Sequence, residues 1–297
     1  MYKKLLLIFL LGLMGNLVHA QTEPVSPAEA THRLPLNKVK LYGGIGYGTG
    51  LLVLSQAWYA ENGFDRFKFF NDNAEWLQVD KLGHTYSTYH FSRVNYELLS
   101  RTELNHNKVL MWSSLLSTAL FLPIEVLDGF SPDYGFSYGD MLANAAGSAL
   151  FFIQQKSWKE QRIKPKFSFR STAYPDMRPQ ILGKSLPEQL LKDYNGQSYW
   201  FSFDIHAFAK ESYWPKWLNL AIGYGAEGMV FARNVENASA GYSNSRQYFL
   251  GLDFDLSYIP TNNRFLKTIL FLADFIRLPA PAIQLQQGKI TGHWLYH

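Results

Sequence analysis

The stretch Gln247–Tyr258, QYFLGLDFDLSY, decides the architecture of the C-terminal half of the chain. Apolar side chains occupy every second position from Tyr248 to Tyr258, and most positions between them are small or polar, as at Asp253 and Asp255. Successive side chains of a strand point to opposite faces of a sheet. The alternation therefore predicts a β-strand with one apolar and one polar face.

Weaker alternations in residues 199–207, 218–224 and 290–296 predict further strands. Between the last two strands, Arg264–Arg277 reads as an apolar helix that ends before Pro279. Aromatic strands are typical of outer-membrane barrels, but such barrels need at least eight strands and the sequence offers only four or five. We therefore expect residues 198–297 to form an open antiparallel sheet with one packed helix, and closure by association of several copies stays open.

Residues 37–157 are predominantly helical in pattern. The four predicted helices are Val39–Ala60, Asp80–Leu104, Met111–Ile124 with a break or kink at Pro123, and a last helix that begins near Tyr138. The fold class predicted is α+β, with an N-terminal four-helix, membrane-associated bundle followed by the antiparallel sheet domain. Gly44, Gly46, Gly48 and Gly50 form two overlapping Gly-x-x-x-Gly pairs, which favour close helix packing, although a glycine-rich strand or loop fits them equally well.

Residues 158–197 are predicted to link the two halves, because prolines and glycines recur through them. The segment Lys156–Arg170 carries six basic residues and one acid. Such a segment after an apolar helix suits contact with an anionic lipid surface, and a solvated linker is the alternative.

The first twenty residues have the pattern of a secretory signal peptide. Lys3 and Lys4 precede the apolar run Leu5–Val18, and Ala20 ends a small-x-small cleavage pattern. We expect a mature, exported chain that begins at Gln21, and an uncleaved membrane anchor is the alternative. The chain contains no cysteine, which excludes a cysteine nucleophile, thiolate metal ligands and a lipid-modified cysteine. The net charge of +4 is small for this length, and an exported protein rarely meets nucleic acid, so no nucleic-acid partner is predicted.

Polar side chains within the helical half are the candidates for a functional site. They are Asp80, Lys81, His84, Glu125, Asp128, Asp140 and Asn144. Asp80 and His84 share one helix face at i and i+4, as do Asp140 and Asn144. Burial of such groups costs several kcal/mol unless they pair or bind something. We therefore expect His84 to meet Glu125 or Asp140, and Lys81 to neutralise the other acid.

The motif Asp80-Lys81-x-x-His84 resembles that of the YfiM-type family of envelope lipoproteins. The resemblance extends over residues 70–155 through Glu125, Asp128, Ser137, Asp140, Asn144 and Gly147. The same spacing is similar to that of VanZ-like helical membrane proteins. The resemblance implies an envelope-associated helical bundle and implies no catalytic activity. The chain departs from the family in lacking a lipoprotein cysteine and in carrying a large C-terminal strand domain.

Three interpretations of the polar residues stay open. They can form a hydrogen-bonded clasp that fixes the register of the helices. They can bind a membrane lipid head group or a lipid-linked glycan, with Lys81 and His84 opposite phosphate. Alternatively, His84 can act as base or metal ligand beside Glu125, Asp128 and Asp140 in a hydrolase that acts on a lipid-linked phosphate.

The sequence thus predicts a protein of the cell envelope, membrane-associated and periplasmic or in the outer membrane. Its predicted role is structural or lipid- or glycolipid-binding. No cofactor and no resident metal are predicted, because a single histidine with scattered acids lacks the paired-histidine spacing of metal motifs. The pattern predicts no particular reaction.

Overall fold

A computed structural model describes residues 33–58, 63–132 and 134–296, so the predicted signal peptide lies outside the described residues. The chain divides into two compact units. The helical unit contains the described residues before 71 together with residues 88–157 and 260–271, and the sheet unit contains residues 71–87, 158–259 and those from 272 onwards. The predicted α+β class is confirmed: a helical N-terminal region precedes a six-stranded antiparallel sheet.

Four long helices account for most of the N-terminal half. They are α1 (Leu36–Trp58), α2 (Val79–Leu99), α3 (His106–Phe130) and α4 (Tyr138–Ser157). Helix α4 begins at Tyr138, near which its start was predicted, and the Ser137 hydroxyl caps it by accepting a hydrogen bond from the backbone N–H of Asp140 at 3.0 Å. A short parallel pair of strands, β1 (Phe69–Phe70) and β2 (Phe136–Ser137), lies in the helical unit.

Of the break or kink predicted at Pro123, the break is wrong, because α3 continues through this residue. A proline inside a helix lacks one N–H donor and crowds the preceding turn, which leaves carbonyl groups there without their usual partner. In this chain the Tyr47 hydroxyl of α1 donates to the carbonyl of Leu120 at 2.5 Å. A neighbouring helix thus supplies a replacement donor to the turn that precedes the proline.

The glycine-rich segment of α1 is helical, so the alternative of a strand or loop is wrong. The predicted close packing is not found either, since among the described residues no heavy atom lies within 4 Å of a Cβ built on Gly44, Gly46 or Gly48. The small residues therefore leave a smooth, uncovered stripe on α1.

The interior of the helical unit combines apolar and small polar side chains. Tyr89, Leu110 and Phe151 form a buried apolar cluster. Asn95 of α2 donates to Ser117 of α3 at 2.9 Å, and Thr118 of α3 donates to Ser148 of α4 at 2.9 Å. Hydrogen bonds between short polar side chains thus connect three helices from the inside.

The sheet unit is built on six strands that follow one another in space as in sequence. They are β3 (Ile163–Phe169), β4 (Gln197–Phe203), β5 (Leu218–Glu227), β6 (Ser245–Phe254), β7 (Ala280–Gln286) and β8 (Lys289–Tyr296). Every neighbouring pair is antiparallel. The strands expected around residues 199, 218, 247 and 290 are therefore present.

Two strands were not predicted, because a proline interrupts the sequence pattern of each. Pro165 lies within β3, in the segment that was expected to be a linker, and Pro281 lies within β7. Proline removes a ladder hydrogen bond and is confined to strand edges and irregular positions. Pro281 fits this rule, since the register of β7 against β8 shifts between Ala280 and Ala282. The rest of the expected linker contains three short helices, Tyr174–Met177, Pro179–Leu182 and Leu186–Lys192.

The sequence suggested that the basic segment contacts lipid or is solvated. The basic residues of β3 do neither. Lys166 is fully buried, and its Nζ lies 2.7 Å from an oxygen of Asp253 and 3.1 Å from one of Asp274. Lys164 pairs with Asp255 at 2.8 Å. These lysines occupy alternate positions of the strand and so point to the same face as the acids that neutralise them.

The predicted helix 264–277 is shorter than expected. Helix α5 comprises Arg264–Ala273, and residues 260–271 group with the helical unit. There the guanidinium of Arg93 lies 4.8 Å from the ring centroid of Phe271, in cation–π contact. One-turn helices at Ile205–Phe208 and Asn234–Ser239 complete the regular structure of the sheet unit, together with 3₁₀ turns at Glu75–Gln78 and Leu256–Tyr258.

Candidate functional site

The predicted site residues fall into two groups, one in each unit. Asp80, Lys81 and His84 lie in the first turns of α2, which belong to the sheet unit. The remaining four belong to the helical unit; they are Glu125, Asp128, Asp140 and Asn144. Each group is described separately.

Lys81 is the centre of the group in the sheet unit. Its Nζ lies 2.7 Å from an oxygen of Asp72 and 3.1 Å from one of Asp80, and all three side chains are largely buried. A carboxylate oxygen of Asp72 and one of Asp80 lie within 4.8 Å of each other. The lysine thus neutralises two acids that would otherwise repel one another at this distance.

Asp80 is held in an environment that disfavours its charge. Burial raises the pKa of Asp80 above its ordinary value, and attraction to Lys81 and then to His84 offsets this only in part. One carboxylate oxygen of Asp80 is buried without a hydrogen-bond partner among the described residues. Asp80 therefore retains an unused acceptor beside two basic side chains.

A strained turn precedes this group. Trp76, Leu77 and Gln78 have φ angles of 46°, 48° and 66°, in the left-handed region that side chains other than glycine rarely adopt. Each such residue costs about 1–2 kcal/mol. The turn is fixed from outside: the Tyr224 hydroxyl donates to the Leu77 carbonyl at 2.5 Å, and a guanidinium N–H of Arg246 donates to Gln78 Oε1 at 2.9 Å.

Two further hydrogen bonds, from the backbone of Trp76 and from the side chain of Gln78, stabilise the same left-handed turn. The backbone N–H of Trp76 donates to the Ala232 carbonyl at 2.9 Å, and the Gln78 amide donates to the Asn73 carbonyl at 2.8 Å. Leu77 is buried beside Val79. Because α2 begins directly after the turn, these contacts determine where Asp80 and Lys81 stand.

Close packing against the sheet explains why a glycine occupies position 83 in the Asp-Lys-Leu-Gly-His motif. A Cβ built on Gly83 would lie 2.9 Å from the hydroxyl oxygen of Tyr199, which is closer than real Cβ atoms approach. The ring of Tyr86, one turn further along, packs against Tyr199 and Phe167 with centroid distances of 5.7 and 5.9 Å. This part of α2 therefore lies directly on the outer face of β3 and β4.

In the helical unit, Glu125 of α3 and Asp140 of α4 are brought together. A carboxylate oxygen of each lies within 4.8 Å of the other, and both side chains are buried. Asn144, one turn after Asp140, is also fully buried. Two carboxylates at this distance inside a low-dielectric interior require a proton or a cation between them.

Asp128 contributes differently from the other predicted residues. It is half-buried near the end of α3, where its carbonyl accepts a hydrogen bond from the backbone N–H of Ser131 at 3.0 Å.

Sequence reasoning missed Asp72, which lies in the polar turn Asn71-Asp72-Asn73 outside any periodic segment. The clustering of three polar residues just before a helix was the available signal.

The expectation that His84 meets Glu125 or Asp140 stays a prediction, because His84 and the two acids belong to different units. The observed partners of Lys81 are Asp72 and Asp80. The expectation that Lys81 neutralises Glu125 or Asp140 likewise stays a prediction.

Comparison with known proteins assigns the central part of the chain. No curated protein and no solved structure matches the chain significantly. A family model covers residues 68–156, close to the residues 70–155 over which the motif resemblance extends. The description of that family implies a lipid attached to a cysteine, and this chain has no cysteine. Residues 68–156 match the family described as predicted periplasmic lipoproteins (DUF2279), and the protein is accordingly located in the cell envelope.

Proposed function

We propose that the protein is a lipid-associated component of the cell envelope. In this proposal the helical unit contacts the hydrocarbon of a membrane, and the polar residues around Lys81 bind the head group of a membrane lipid or of a lipid-linked glycan. The observation that carries the proposal is the exposure of α3, a helix with the length and composition of a membrane span.

Helix α3 has 25 residues, and its most apolar 18-residue window has a mean hydropathy of 1.6. Among the described residues it is the only helix of this kind, and only 33% of that window is buried. A core helix of a soluble protein would satisfy the same criteria of length and composition, but it would be mostly buried. The exposed apolar side chains of α3 are Met111, Trp112, Leu115, Leu116, Leu122, Val126 and Phe130.

The distribution of polar side chains in the helical unit supports the same proposal. Ser113, Ser114 and Ser117 of α3 are buried, and their hydroxyls donate to carbonyls one turn earlier in the helix. Small polar residues inside and large apolar residues outside are typical of helices that pack within a bilayer. Leu41 and Ile45 of α1 and Leu142 and Ile153 of α4 are exposed as well, so the apolar surface extends over three helices.

The association with lipid is tested by extraction. Membranes that contain the tagged protein are washed with high salt and with carbonate and then treated with detergent. We expect the protein to require detergent. The variant Leu115→Asp should be released by carbonate, whereas the matched change Leu186→Asp, at an exposed leucine of a short helix in the sheet unit, should not. Release of the unaltered protein by carbonate would contradict the proposal.

The role of the Lys81 group is tested with a soluble short-chain phosphatidylglycerol. Lys81 is flanked by Asp72 and Asp80, so an anionic phosphate would have to share the lysine, and a ring N–H of His84 would supply a further hydrogen-bond donor. We expect titration calorimetry to show binding by the unaltered protein and by Lys81→Arg, and none by Lys81→Met. Lys184→Met, at an exposed lysine outside the group, is the control. Equal binding by all four proteins would contradict this role.

The close carboxylates of Glu125 and Asp140 favour a second candidate, a metal-assisted hydrolase of a lipid-linked phosphate. Carboxylate oxygens are the ligands preferred by Mg²⁺, which commonly binds through one or two acids together with substrate phosphate. Phosphate release from a lipid-linked pyrophosphate is measured with and without Mg²⁺ for the unaltered protein, for Glu125→Gln and for His84→Gln. Activity that both substitutions abolish in folded protein would establish this candidate, and unchanged complementation of a deletion by His84→Gln would contradict it.

A further inference from the structure

The sheet unit has the reverse polarity of a soluble sheet. Among the described strands, most inward positions of β5 and β6 carry polar or small residues, such as Asn219, Gly223, Gln247 and Asp253, and Phe249 is the one large apolar residue among them; all five are buried. The outward positions carry large apolar residues. A soluble antiparallel sheet normally buries its apolar face and presents its polar face to water.

The interior contains charged groups that are held by ion pairs and hydrogen bonds. Lys166 binds Asp253 and Asp274 and also donates to the carbonyl of Phe254 at 2.8 Å. Arg277 is buried over the ring of Trp200, 3.9 Å from its centroid, and donates to the carbonyls of Tyr296 and Leu252 at 2.7 and 2.9 Å. Exchange of the two faces of the sheet would break these contacts, which compensate for the burial of the charges.

The outward face of β5, β6 and β7 carries an uninterrupted aliphatic belt. Ile222 lies opposite Leu250 in the register of β5 and β6, and Leu250 lies opposite Ile283 in that of β6 and β7. These three side chains are 55%, 54% and 53% exposed. The belt continues through Leu220 and Leu252, which also lie opposite one another.

Aromatic residues bound this belt at both ends. At one end the cross-strand neighbours Tyr224 and Tyr248 pack edge to face, with ring centroids 5.5 Å apart. At the other end Trp217 stacks on Phe254 with centroids 6.0 Å apart. Aromatic side chains with one apolar and one polar end concentrate where hydrocarbon meets water at a membrane surface.

The dimensions and chemistry of the belt fit lipid. From Leu218 to Tyr224 the strand extends about 20 Å at roughly 3.3 Å per residue, most of the ~25 Å apolar band of outer-membrane strands. The aliphatic side chains between the aromatic rows offer no hydrogen-bonding group, whereas protein interfaces of this kind carry about one hydrogen bond per 100–200 Å².

We propose that the outward face of β5, β6 and β7 lies against the acyl chains of a lipid bilayer. This goes beyond the proposed function, which places only the helical unit in contact with hydrocarbon. The occupant is lipid rather than a second copy of the chain, because the aromatic rows follow the two ends of the belt and the belt itself carries no group that could specify a protein partner.

The absence of cysteine from the sequence permits a direct test. Single-cysteine variants Leu250→Cys, Ile283→Cys and Val235→Cys are made in the full chain and labelled with an environment-sensitive fluorophore. Val235 is the matched control, because it is an aliphatic residue of the sheet unit, 77% exposed, on a one-turn helix away from the belt. Each labelled protein is reconstituted into phosphatidylcholine vesicles that contain a nitroxide on the acyl chain.

We expect the labels at positions 250 and 283 to lose emission in nitroxide vesicles, and the label at position 235 to keep it. Equal emission at all three positions would overturn the inference. If the protein resists carbonate but shows no quenching at 250 and 283, the proposed function survives and this inference fails. If the labels are not quenched and the unlabelled Leu250→Cys protein forms disulfide-linked dimers, the belt is a self-association surface, and the inference is also overturned. Circular dichroism of each variant confirms that the exposed positions tolerate the change.

Discussion

Lys166 and Asp253 form an ion pair with a distance of 2.7 Å between Nζ and Oδ2, and both side chains are completely shielded from solvent. The pair lies inside the sheet unit, where Ser202 also donates to the same oxygen of Asp253 at 2.7 Å. Taking two charges out of water costs several kcal/mol for each ion, and only close geometry with further hydrogen bonds compensates for it. The stability of the sheet unit therefore depends on the ion pair between Lys166 and Asp253.

We expect Lys166→Met to destabilise the protein strongly, because it leaves the carboxylates of Asp253 and Asp274 buried without their common cation. The loss should be about 3–5 kcal/mol in free energy of unfolding, measured by urea titration in detergent micelles. Lys289→Met, at an exposed lysine of β8, should change it little. A loss for Lys166→Met no larger than that control would show that the interior tolerates an unpaired acid.

Gly83→Ala should be destabilising although alanine is the better helix former. The new methyl group would lie 2.9 Å from the Tyr199 hydroxyl oxygen, and overpacking of this kind costs about 1–3 kcal/mol. In a Tyr199→Phe background the offending atom is gone, so the same change should become neutral or stabilising by up to about 1 kcal/mol. A double-mutant cycle on thermal unfolding measures the coupling, and purely additive effects would refute the contact.

Asp80→Asn should alter how stability depends on pH. Burial raises the pKa of folded Asp80, so folded protein holds this proton more tightly than the unfolded chain does. The contribution of Asp80 is therefore most favourable at low pH and declines as pH rises from about 3.9, the unfolded value, through the raised folded pKa. Asp80→Asn should remove this decline and be at least as stable as the unaltered protein at neutral pH.

The pH profile of Asp80→Asn is measured as the free energy of unfolding between pH 4 and pH 8. Asp65→Asn, at an exposed acid of the helical unit, serves as the control. A profile for Asp80→Asn parallel to that of the unaltered protein would show that attraction to Lys81 balances the cost of burial.

Ser137→Ala should weaken the start of α4. The hydroxyl of Ser137 accepts the backbone N–H of Asp140 at 3.0 Å, and loss of such a cap costs about 1 kcal/mol. Ser137→Thr keeps the acceptor and should retain most of the stability. Hydrogen exchange at the first amides of α4 distinguishes the variants. Equal protection in both would mean that the hydroxyl does not hold this helix end.

The sequence predicted those elements whose side-chain period is uninterrupted. Strand β6 and the start of α4 were placed correctly, because alternation and the turn residues that precede a helix are local signals. Strands β3 and β7 were missed because Pro165 and Pro281 interrupt the pattern. The meaning of Lys164 and Lys166 was also missed, since their partners Asp253, Asp255 and Asp274 are about ninety or more residues away in sequence.

The candidate site was predictable to a smaller extent. Asp80 and Lys81 were singled out as polar residues next to apolar segments, but their partner Asp72 was missed because it lies in a turn outside any periodic segment. The left-handed backbone at Trp76-Leu77-Gln78 has no sequence signature, since those residue types normally avoid it. Tertiary contacts of all three residues hold that backbone in place.

The alternating pattern of β5 and β6 has a consequence for export. Helix α3 has the length and apolar composition of a membrane-spanning segment. In β5 and β6 most large apolar residues alternate with small or polar ones, so the unfolded strands contain no apolar run of comparable length. The apolar surface around Leu250 therefore forms only when the strands pair.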